Sequence, residues 1–441
     1  MKSLLSDNFC SSPWFHIKIN PAGDYMPCRW SSDLEKSPYN ISNTTIVEYI
    51  NSVEISSLRL SLLNGDSPKM CSACHYEDKQ NKVSGRQRQL LKSAITLNNF
   101  DNSFCASPHW SRFQYSFENN GLTDHQPVDL QIDLGNTCNS ACIMCIPTYS
   151  SKLSTDYIKL NPIESDLFPK YPKMVNWADN DLLVDKFIAE LEQIPNLRYV
   201  HFLGGETLYL KSFYAICDRL IASGLAKNIS IGTTTNGTVY NPQLEHIIKE
   251  FKHVHIGISI ESFHAVNDYI RYPSDIDQIT KNTKQFLDLR DHNNLHVSLR
   301  ITPSILSIFH IPTVFKFMLD NHVTAESCNI LYEPSCLRIE LLPEGLSQEI
   351  IAGIDQVIND YRLVDSDQVI INRRRSDLVD PVISSVIFEY KNFLSSYVVP
   401  DNVNKERHDL IRFLKAFESL RNNTILEYLP EYEEFLRSYG Y

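Results

Sequence analysis

Short β-rich runs alternate with amphipathic helical segments through the middle of this chain. Each run is followed by a segment whose apolar residues recur at helical spacing, as in residues 181–194 and 211–224. Strands and helices that alternate in this way form right-handed βαβ units, which build a parallel sheet. The sequence therefore predicts an α/β fold with strands at 128–134, 197–203, 228–235, 254–260 and 295–301.

A sixth strand is expected after these five, near residues 328–332 or 337–342, where further apolar runs occur. Six strands with their helices would form an open, partial (β/α)6 barrel of the TIM type. In barrels of this kind the functional residues gather at the carboxyl ends of the strands.

The flanking segments differ from this central region in their predicted secondary structure. A hairpin is predicted at 16–28 around a turn at Pro21 to Gly23, and a helix follows at 45–65. The end of the chain is mostly helical, with helices predicted at 347–363, 381–396 and 405–423. The predicted division is an N-terminal α+β domain at 1–100, a linker at 101–125, the barrel at 126–343 and a helical region at 344–441.

The composition is that of a soluble, folded protein. Of 441 residues, 43% are hydrophobic and 21% charged, and the net charge of −12 argues against nucleic acid or an anionic membrane as the main partner. The first ten residues lack the apolar core of a secretory signal, and no apolar run reaches bilayer length. We therefore expect a cytoplasmic protein. Because the cytosol keeps thiols reduced, its 11 cysteines are expected to be metal ligands or buried thiols.

Three cysteines follow the first predicted barrel strand at the spacing C-x3-C-x2-C: Cys138, Cys142 and Cys145. Three thiolates can bind three irons of a 4Fe–4S cluster and leave the fourth iron without a protein ligand. A structural zinc site would usually recruit a fourth protein ligand, and none lies at the expected local spacing. Buried structural cysteines are the remaining alternative, but three cysteines on one loop do not follow the spacing of core residues in a helix or strand.

The triplet in this position resembles the defining motif of the radical S-adenosylmethionine (SAM) superfamily, with Met144 where the family commonly has an aromatic residue. Later motifs add to the resemblance, namely GGE at 204–206, TNG at 235–237 and the Ser-Ile-Glu run at 259–261. Each alone is equally well explained as a turn or a helix cap. Their order along successive strands favours the family, which implies SAM contacts from Gly204, Gly205, Glu206, Thr235, Asn236, Ser259, Glu261 and Arg300.

A second group of cysteines lies in the N-terminal region. Cys10 and Cys28 flank the predicted hairpin strand, and Cys71 and Cys74 form a C-x2-C pair. Four thiolates suit either zinc or an iron–sulfur cluster, and spacing alone does not choose between them. The pattern resembles the auxiliary-cluster region of SPASM and twitch radical SAM proteins, in which that domain usually follows the barrel. The resemblance implies one auxiliary 4Fe–4S cluster on these four cysteines, in a twitch-like domain at 1–100 that packs over the barrel mouth.

The remaining cysteines belong to neither predicted cluster site. Cys217, Cys328 and Cys336 lie in apolar segments and are expected in the core. Cys105 lies near the predicted linker and is expected to be a free thiol, with a spare ligand or a gate residue as alternatives.

The family resemblance also implies a function. The cluster would pass one electron to SAM, and the resulting 5′-deoxyadenosyl radical would abstract hydrogen from a substrate C–H bond, with flavodoxin or ferredoxin as the electron donor. Peptides are a frequent substrate class of SPASM and twitch relatives, so oxidative modification of a peptide or protein is the leading expectation. The alternatives are an oxidoreductase that acts on a small carbohydrate or nucleotide, and a non-catalytic zinc or iron–sulfur scaffold or regulatory module.

Overall fold

A computed structural model describes residues 6–29, 31, 37–79, 84–92, 108–291, 294–325, 329–365 and 379–441. The strands of its sheet are β1 (His16–Ile19), β2 (Tyr25–Met26), β3 (Asp129–Asp133), β4 (Tyr199–Leu203), β5 (Ser230–Thr235), β6 (His253–Ser259) and β7 (Leu295–Arg300). These seven strands form one sheet in the order β2-β1-β3-β4-β5-β6-β7. The chain is therefore an α/β protein with a mostly parallel sheet, and the five strands predicted between residues 128 and 301 are confirmed as β3 to β7.

The helices cover the sheet and the two flanking segments. They are α1 (Ser12–Phe15), α2 (Ile46–Ile50), α3 (Val53–Asn64), α4 (Ser72–Lys79), α5 (Gly85–Lys92), α6 (Pro108–Glu118), α7 (Ser151–Leu160), α8 (Asp181–Glu192), α9 (Lys211–Ala222), α10 (Gln243–Glu250), α11 (Val266–Ile270), α12 (Ile276–Asp288), α13 (Ile311–Asp320), α14 (Glu344–Asp360), α15 (Val379–Ser396), α16 (Val403–Arg421) and α17 (Glu433–Ser438). Among the described residues, none of these helices has the length and apolar character needed to cross a bilayer.

The N-terminal hairpin belongs to the same sheet as the central strands. β1 runs antiparallel to β2 but parallel to β3, with His16 opposite Asp129 and Ile19 opposite Ile132. Because β1 is parallel to β3, it supplies a sixth parallel strand on the side of the sheet opposite β7, next to the edge strand β2.

The prediction of a sixth strand at 328–332 or 337–342 was wrong for the described residues of those stretches. Residues 329–332 have no regular structure, and Ile339–Leu341 form a 3-10 helix. All residues from Leu337 to Leu342 except Arg338 are buried, and a short, mostly apolar segment of this length does not distinguish a strand from a buried helical turn. At this edge, within the part of the chain that the structure describes, β7 forms one isolated parallel bridge, from Leu299 to Ala325.

The two faces of the sheet differ in chemistry because successive strand residues alternate between them. The apolar face packs against the helices, and Phe202 of β4 meets Phe213 of α9 with ring centroids 5.6 Å apart. The opposite face carries polar side chains from several strands, including the buried Lys18, Gln131 and His201. These three positions alternate with buried apolar ones, which accounts for the strand pattern in the sequence.

A smaller core lies beside the main one. Its members include Phe9, Trp14 and Phe113, all fully buried, whose rings pack edge-on or tilted at 5.0–5.5 Å. The Trp14 indole N–H donates to the Ser116 hydroxyl at 2.8 Å. Helix α6, which carries Phe113, lies within the predicted linker, so part of that segment is packed helix.

The helices of the two flanking segments agree with the sequence-based prediction at one end of the chain and differ from it at the other. The single helix expected at 45–65 is two helices, α2 and α3, because Ser52 begins α3 by accepting a hydrogen bond from the Ile55 N–H. The three C-terminal helices expected at 347–363, 381–396 and 405–423 are confirmed as α14, α15 and α16.

Candidate functional site

The cysteine triplet lies on the loop between β3 and α7, at the carboxyl end of β3. Within it, the Ser140 N–H donates to Cys138 Sγ at 3.4 Å, and Ser150 at the start of α7 donates its hydroxyl to the Ser140 carbonyl at 2.7 Å. Burial and the neighbouring thiols raise the pKa of Cys138 and of Cys145 to about 12. Cys142 contributes to the pKa shift of both other thiols.

The middle cysteine is held by backbone pairing with the segment that ends α11. The Ala141 N–H donates to the Tyr272 carbonyl at 2.5 Å, and the Ile143 N–H donates to the Ile270 carbonyl at 2.9 Å. Cys142 therefore faces Arg271, whose Nη1 lies 3.9 Å from the sulfur. Burial raises the pKa of the Cys142 thiol, while Arg271 acts in the opposite direction.

Glu261 completes this arrangement from the end of β6. Its carboxylate accepts from Arg271 Nη2 at 2.5 Å and from the Thr302 N–H at 2.9 Å. Glu261 is only 1% exposed, and burial raises its pKa although Arg271 opposes that shift. Burial by itself would lower the pKa of Arg271, but Glu261 and the Cys142 thiol raise it overall. The sequence analysis missed Arg271, since only the folded loop brings it to the cysteine.

Glu206 is a buried carboxylate that joins the ends of β4 and β5. It accepts from the Thr235 hydroxyl at 2.7 Å, from the Asn236 N–H at 2.6 Å and from the Leu208 N–H at 3.1 Å. Burial raises its pKa even though all three hydrogen bonds act to lower it. The GGE and TNG motifs, separate in sequence, therefore meet at one carboxylate.

Asn236 extends this contact to the cysteine loop. Its side-chain amide donates to Asn139 Oδ1 at 2.8 Å and to the Ser140 hydroxyl at 3.1 Å. Asn139 in turn donates to the Thr238 hydroxyl at 2.7 Å. The loop after β5 is thus tied directly to the segment between Cys138 and Cys142.

Gly205 allows the loop after β4 to approach the cysteine loop closely. Its N–H donates to the Gly135 carbonyl at 2.8 Å, and the next N–H, of Glu206, donates to the Thr137 carbonyl at 3.0 Å. A Cβ atom at position 205 would lie 2.1 Å from the Thr137 oxygen. Only glycine permits this approach, which is the physical reason for the second glycine of the motif.

Ser259 and Arg300 lie opposite each other on β6 and β7. The Arg300 side chain crosses Gly257, where a Cβ atom would lie 2.2 Å from Arg300 Nε. Both side chains are half-buried and lie on the polar face of the sheet.

A second arginine reaches the cysteine loop from the C-terminal helix α16. Arg421 Nη2 donates to the Ala141 carbonyl at 2.6 Å and to Asp156 Oδ2 of α7 at 2.9 Å. No signal in the sequence connects Arg421 with the triplet, because the two are separated by 280 positions.

The N-terminal cysteines form a second electrostatically coupled group. Cys28 raises the pKa of Cys10, Cys71 and Cys74, in each case after the larger effect of burial, and the values for Cys71 and Cys74 reach about 12. The Ser12 N–H donates to Cys10 Sγ at 3.4 Å, as Ser140 does to Cys138. Cys28 therefore contributes to the pKa shift of each of the other three N-terminal thiols.

The donor atoms of both groups fit an iron–sulfur cluster. Each group consists of thiols, and N–H···S bonds of the kind seen at Cys138 and Cys10 tune such clusters. In the described part of the chain, no three His, Cys, Asp or Glu side chains are arranged tightly enough to hold a single metal ion. A cluster makes a different demand, because each thiolate binds a different iron.

The other cysteines divide as follows. Cys217 and Cys336 are buried, as predicted for core residues. Cys105 and Cys328 lie outside the described residues.

Residues 132–302 match the family model described as the Radical SAM superfamily. This match spans β3 to β7 together with the triplet and all the predicted SAM contacts. No curated protein matches the chain.

Solved structures also resemble the chain. The structure titled native anSMEcpe with bound AdoMet is 16% identical with a TM-score of 0.39, and the alignment covers 54% of this chain and 62% of that one. Streptococcus suis SuiB bound to the precursor peptide SuiA is 13% identical with a TM-score of 0.36, over 83% of this chain and 76% of that one. On the family match, residues 132–302 form a radical SAM domain, and the chain spans 62% and 59% of the length of the two anSMEcpe structures with bound AdoMet.

Proposed function

We propose that Cys138, Cys142 and Cys145 hold a 4Fe–4S cluster and that SAM binds at its open iron. The observation that carries this proposal is the convergence on the cysteine loop of the motifs from β4, β5 and β6. Asn236 bonds to Asn139 and Ser140 on one side of the loop, and Arg271, paired with Glu261, contacts Cys142 on the other.

When bound, a cluster on Cys138, Cys142 and Cys145 together with SAM would supply radical chemistry for hydrogen abstraction from a substrate C–H bond. The chain positions these groups and excludes water. The three thiols lie at the carboxyl end of β3, where parallel α/β folds gather their sites. Glu206 and Glu261 are both 1% exposed, so the protein side of the site is dry.

Glu206 has the properties expected of a partner for the SAM amino group. A carboxylate offers about four acceptor positions, and the described donors, Leu208, Thr235 and Asn236, use three of them. A buried carboxylate gains most from a cation in the remaining position. We assign the other SAM contacts to the residues that the family motifs indicate: Gly204, Gly205, Thr235, Asn236, Ser259, Glu261 and Arg300.

We further propose that residues 1–100 form a twitch-like domain whose auxiliary 4Fe–4S cluster is held by Cys10, Cys28, Cys71 and Cys74. The electrostatic coupling of all four thiols through Cys28 supports this assignment. It accompanies the proposed division into a linker at 101–125, a barrel region at 126–343 and a helical region at 344–441. Five strands of the proposed partial (β/α)6 barrel lie within 126–343, and β1 of the N-terminal hairpin supplies the sixth parallel strand.

For the substrate we propose a peptide or protein that undergoes oxidative modification, with the auxiliary cluster as acceptor of the product-radical electron. Support comes from the resemblance of the N-terminal cysteine region to SPASM and twitch proteins. A small carbohydrate or nucleotide is the second candidate, and flavodoxin or ferredoxin is the proposed electron donor.

The decisive experiment is anaerobic incubation of the reconstituted protein with SAM and dithionite, followed by quantification of 5′-deoxyadenosine. We expect 5′-deoxyadenosine from the wild type and from the Cys217→Ala control, and none from the triple Cys138→Ala, Cys142→Ala, Cys145→Ala variant. Equal yields from all three proteins, or no product from the wild type, would contradict the proposal. Metal analysis tests the scaffold alternative, because two clusters give about eight irons per chain, whereas about four irons with zinc indicates a mixed site.

A further inference from the structure

The C-terminal helix α16 ends against the cysteine loop. Its last residue, Arg421, is 8% exposed, and its guanidinium lies 4.7 Å from the Tyr272 ring and 4.4 Å from the Phe417 ring. Two flat aromatic surfaces therefore restrict the orientation of this side chain. A residue held in this way presents its charge at a fixed position.

The bonds of Arg421 fix the residue that precedes Cys142. Nη2 donates to the Ala141 carbonyl at 2.6 Å, while the N–H of the same residue donates to the Tyr272 carbonyl at 2.5 Å. Both polar groups of the Ala141 backbone are thus engaged. Since one peptide bond joins Ala141 to Cys142, the position of that cysteine depends on the Arg421 contact.

The helix that carries Arg421 is itself anchored to the segment after the triplet. Phe413 of α16 stacks on Phe168 with ring centroids 5.3 Å apart, and Arg421 bonds to Asp156 of α7 at 2.9 Å. Arg421 lies outside residues 132–302, which match the radical SAM family. The contact is therefore supplied by the helical region of this chain.

We propose that Arg421 is a positioning residue for the cluster site: its hydrogen bond to Ala141 holds Cys142, and its charge, balanced by Asp156, sets the reduction potential of the cluster on the triplet. This inference rests on the proposed function of the triplet. The charge matters because reduction adds an electron to the cluster, and cluster potentials depend on nearby charge and hydrogen bonds. A positive group near Cys142 makes reduction easier, and the Asp156 carboxylate opposes it.

The test is an anaerobic redox titration of the full-length reconstituted protein. The reduced cluster is monitored by its EPR signal, which changes when SAM is added. For Arg421→Gln we expect a more negative midpoint potential. At a fixed potential, the ratio of reduced to oxidised cluster should be about tenfold lower, which corresponds to a shift of about 59 mV for one electron. For Asp156→Asn we expect a shift in the opposite direction, because the Arg421 charge is then less balanced. Arg421→Lys keeps the charge and should stay near the wild type.

Arg412 provides the matched control on the same helix. It pairs with Glu164 and Asp166, and it precedes Arg421 by nine residues, about 13 Å along the helix axis and beyond the screening length of about 10 Å. Arg412→Gln should leave the midpoint unchanged.

The outcomes distinguish the inference from the proposal on which it rests. A wild type with no SAM-responsive cluster signal overturns both. A SAM-responsive wild type whose Arg421→Gln and Asp156→Asn variants keep the same midpoint, or shift it in the same direction, overturns the role of Arg421 alone. Opposite shifts of the two variants, with Arg421→Lys near the wild type, support it, because a purely structural contact does not reverse sign with charge.

Discussion

Arg271 connects Glu261 to the cysteine loop: one guanidinium nitrogen lies 2.5 Å from the Glu261 carboxylate, and another lies 3.9 Å from Cys142 Sγ. The Glu261 side chain is 1% exposed and that of Arg271 is 11% exposed, so the pair is shielded from water. Because each charge compensates the other, the pair stabilises the fold only while both members are present.

The first prediction concerns this pair. Glu261→Ala should lower the free energy of unfolding by about 3 to 5 kcal/mol, because it leaves the Arg271 charge buried without its partner. The double variant Glu261→Leu, Arg271→Met removes both charges and should recover most of that loss. Urea denaturation of the three proteins without cofactor measures this, and a double variant as unstable as Glu261→Ala contradicts it.

The second prediction concerns Glu206 and SAM. Glu206→Gln keeps the size of the side chain but removes its charge, so we expect the visible absorption of the cluster to remain and the SAM-induced change in its EPR spectrum to be lost. Glu192→Gln, at an exposed position at the end of α8, is the control and should respond to SAM like the wild type. An unchanged SAM response of Glu206→Gln would count against the assignment.

The third prediction follows from the close approach at Gly205. A Cβ atom there would lie 2.1 Å from the Thr137 carbonyl oxygen, so Gly205→Ala should displace the cysteine loop and lower the free energy of unfolding by more than about 1 kcal/mol. Gly345→Ala, in α14, meets no atom within 4 Å and should be neutral or stabilising by up to about 1 kcal/mol. Equal stability of the two variants in urea denaturation would contradict this prediction, because it would mean that the loop after β4 can move away from the cysteine loop at little cost.

The fourth prediction concerns the N-terminal cysteines. Replacing Cys71 and Cys74 with Ala should reduce the iron content from about eight to about four per chain, leave SAM cleavage partly intact and abolish substrate turnover. Cys217→Ala removes a buried thiol that belongs to neither group and should keep its full iron content. An iron content in the double variant equal to that of the wild type would exclude Cys71 and Cys74 as ligands of an auxiliary cluster.

The fifth prediction concerns pH. The His310 ring stacks on the His264 ring with centroids 3.8 Å apart, and burial, with a smaller contribution from His264, lowers the pKa of His310 to about 4. In the unfolded chain His310 binds a proton more readily than in the folded protein. The contribution of neutral His310 to the free energy of unfolding is therefore fully present above about pH 6.5 and is lost as the pH drops toward 4. His310→Leu should lose less stability over this range than the wild type.

Thermal denaturation between pH 7 and pH 4 measures this effect. His246→Gln, at an exposed position on α10, serves as the control and should follow the wild type. A His310→Leu profile that parallels the wild type excludes His310 as the source of acid sensitivity.

The sequence by itself determined the features that depend on local order. Strand and helix periodicity predicted β3 to β7 and the helices between them, because alternation of apolar residues reflects which face of each element is buried. The C-x3-C-x2-C spacing likewise predicted three neighbouring thiols, since residues so near in sequence have little freedom to separate. The GGE and TNG motifs were assigned to strand ends for the same reason.

Only the tertiary structure decided the features that join distant parts of the chain. It paired β1 with β3, so the sixth parallel strand lies on the opposite side of the sheet from the one predicted, next to the edge strand β2. It also brought Arg271 to Cys142 and, across 280 positions, Arg421 to Ala141. Such contacts depend on how packed helices and strands orient whole segments, and the periodicity of either segment alone carries no information about its distant partner.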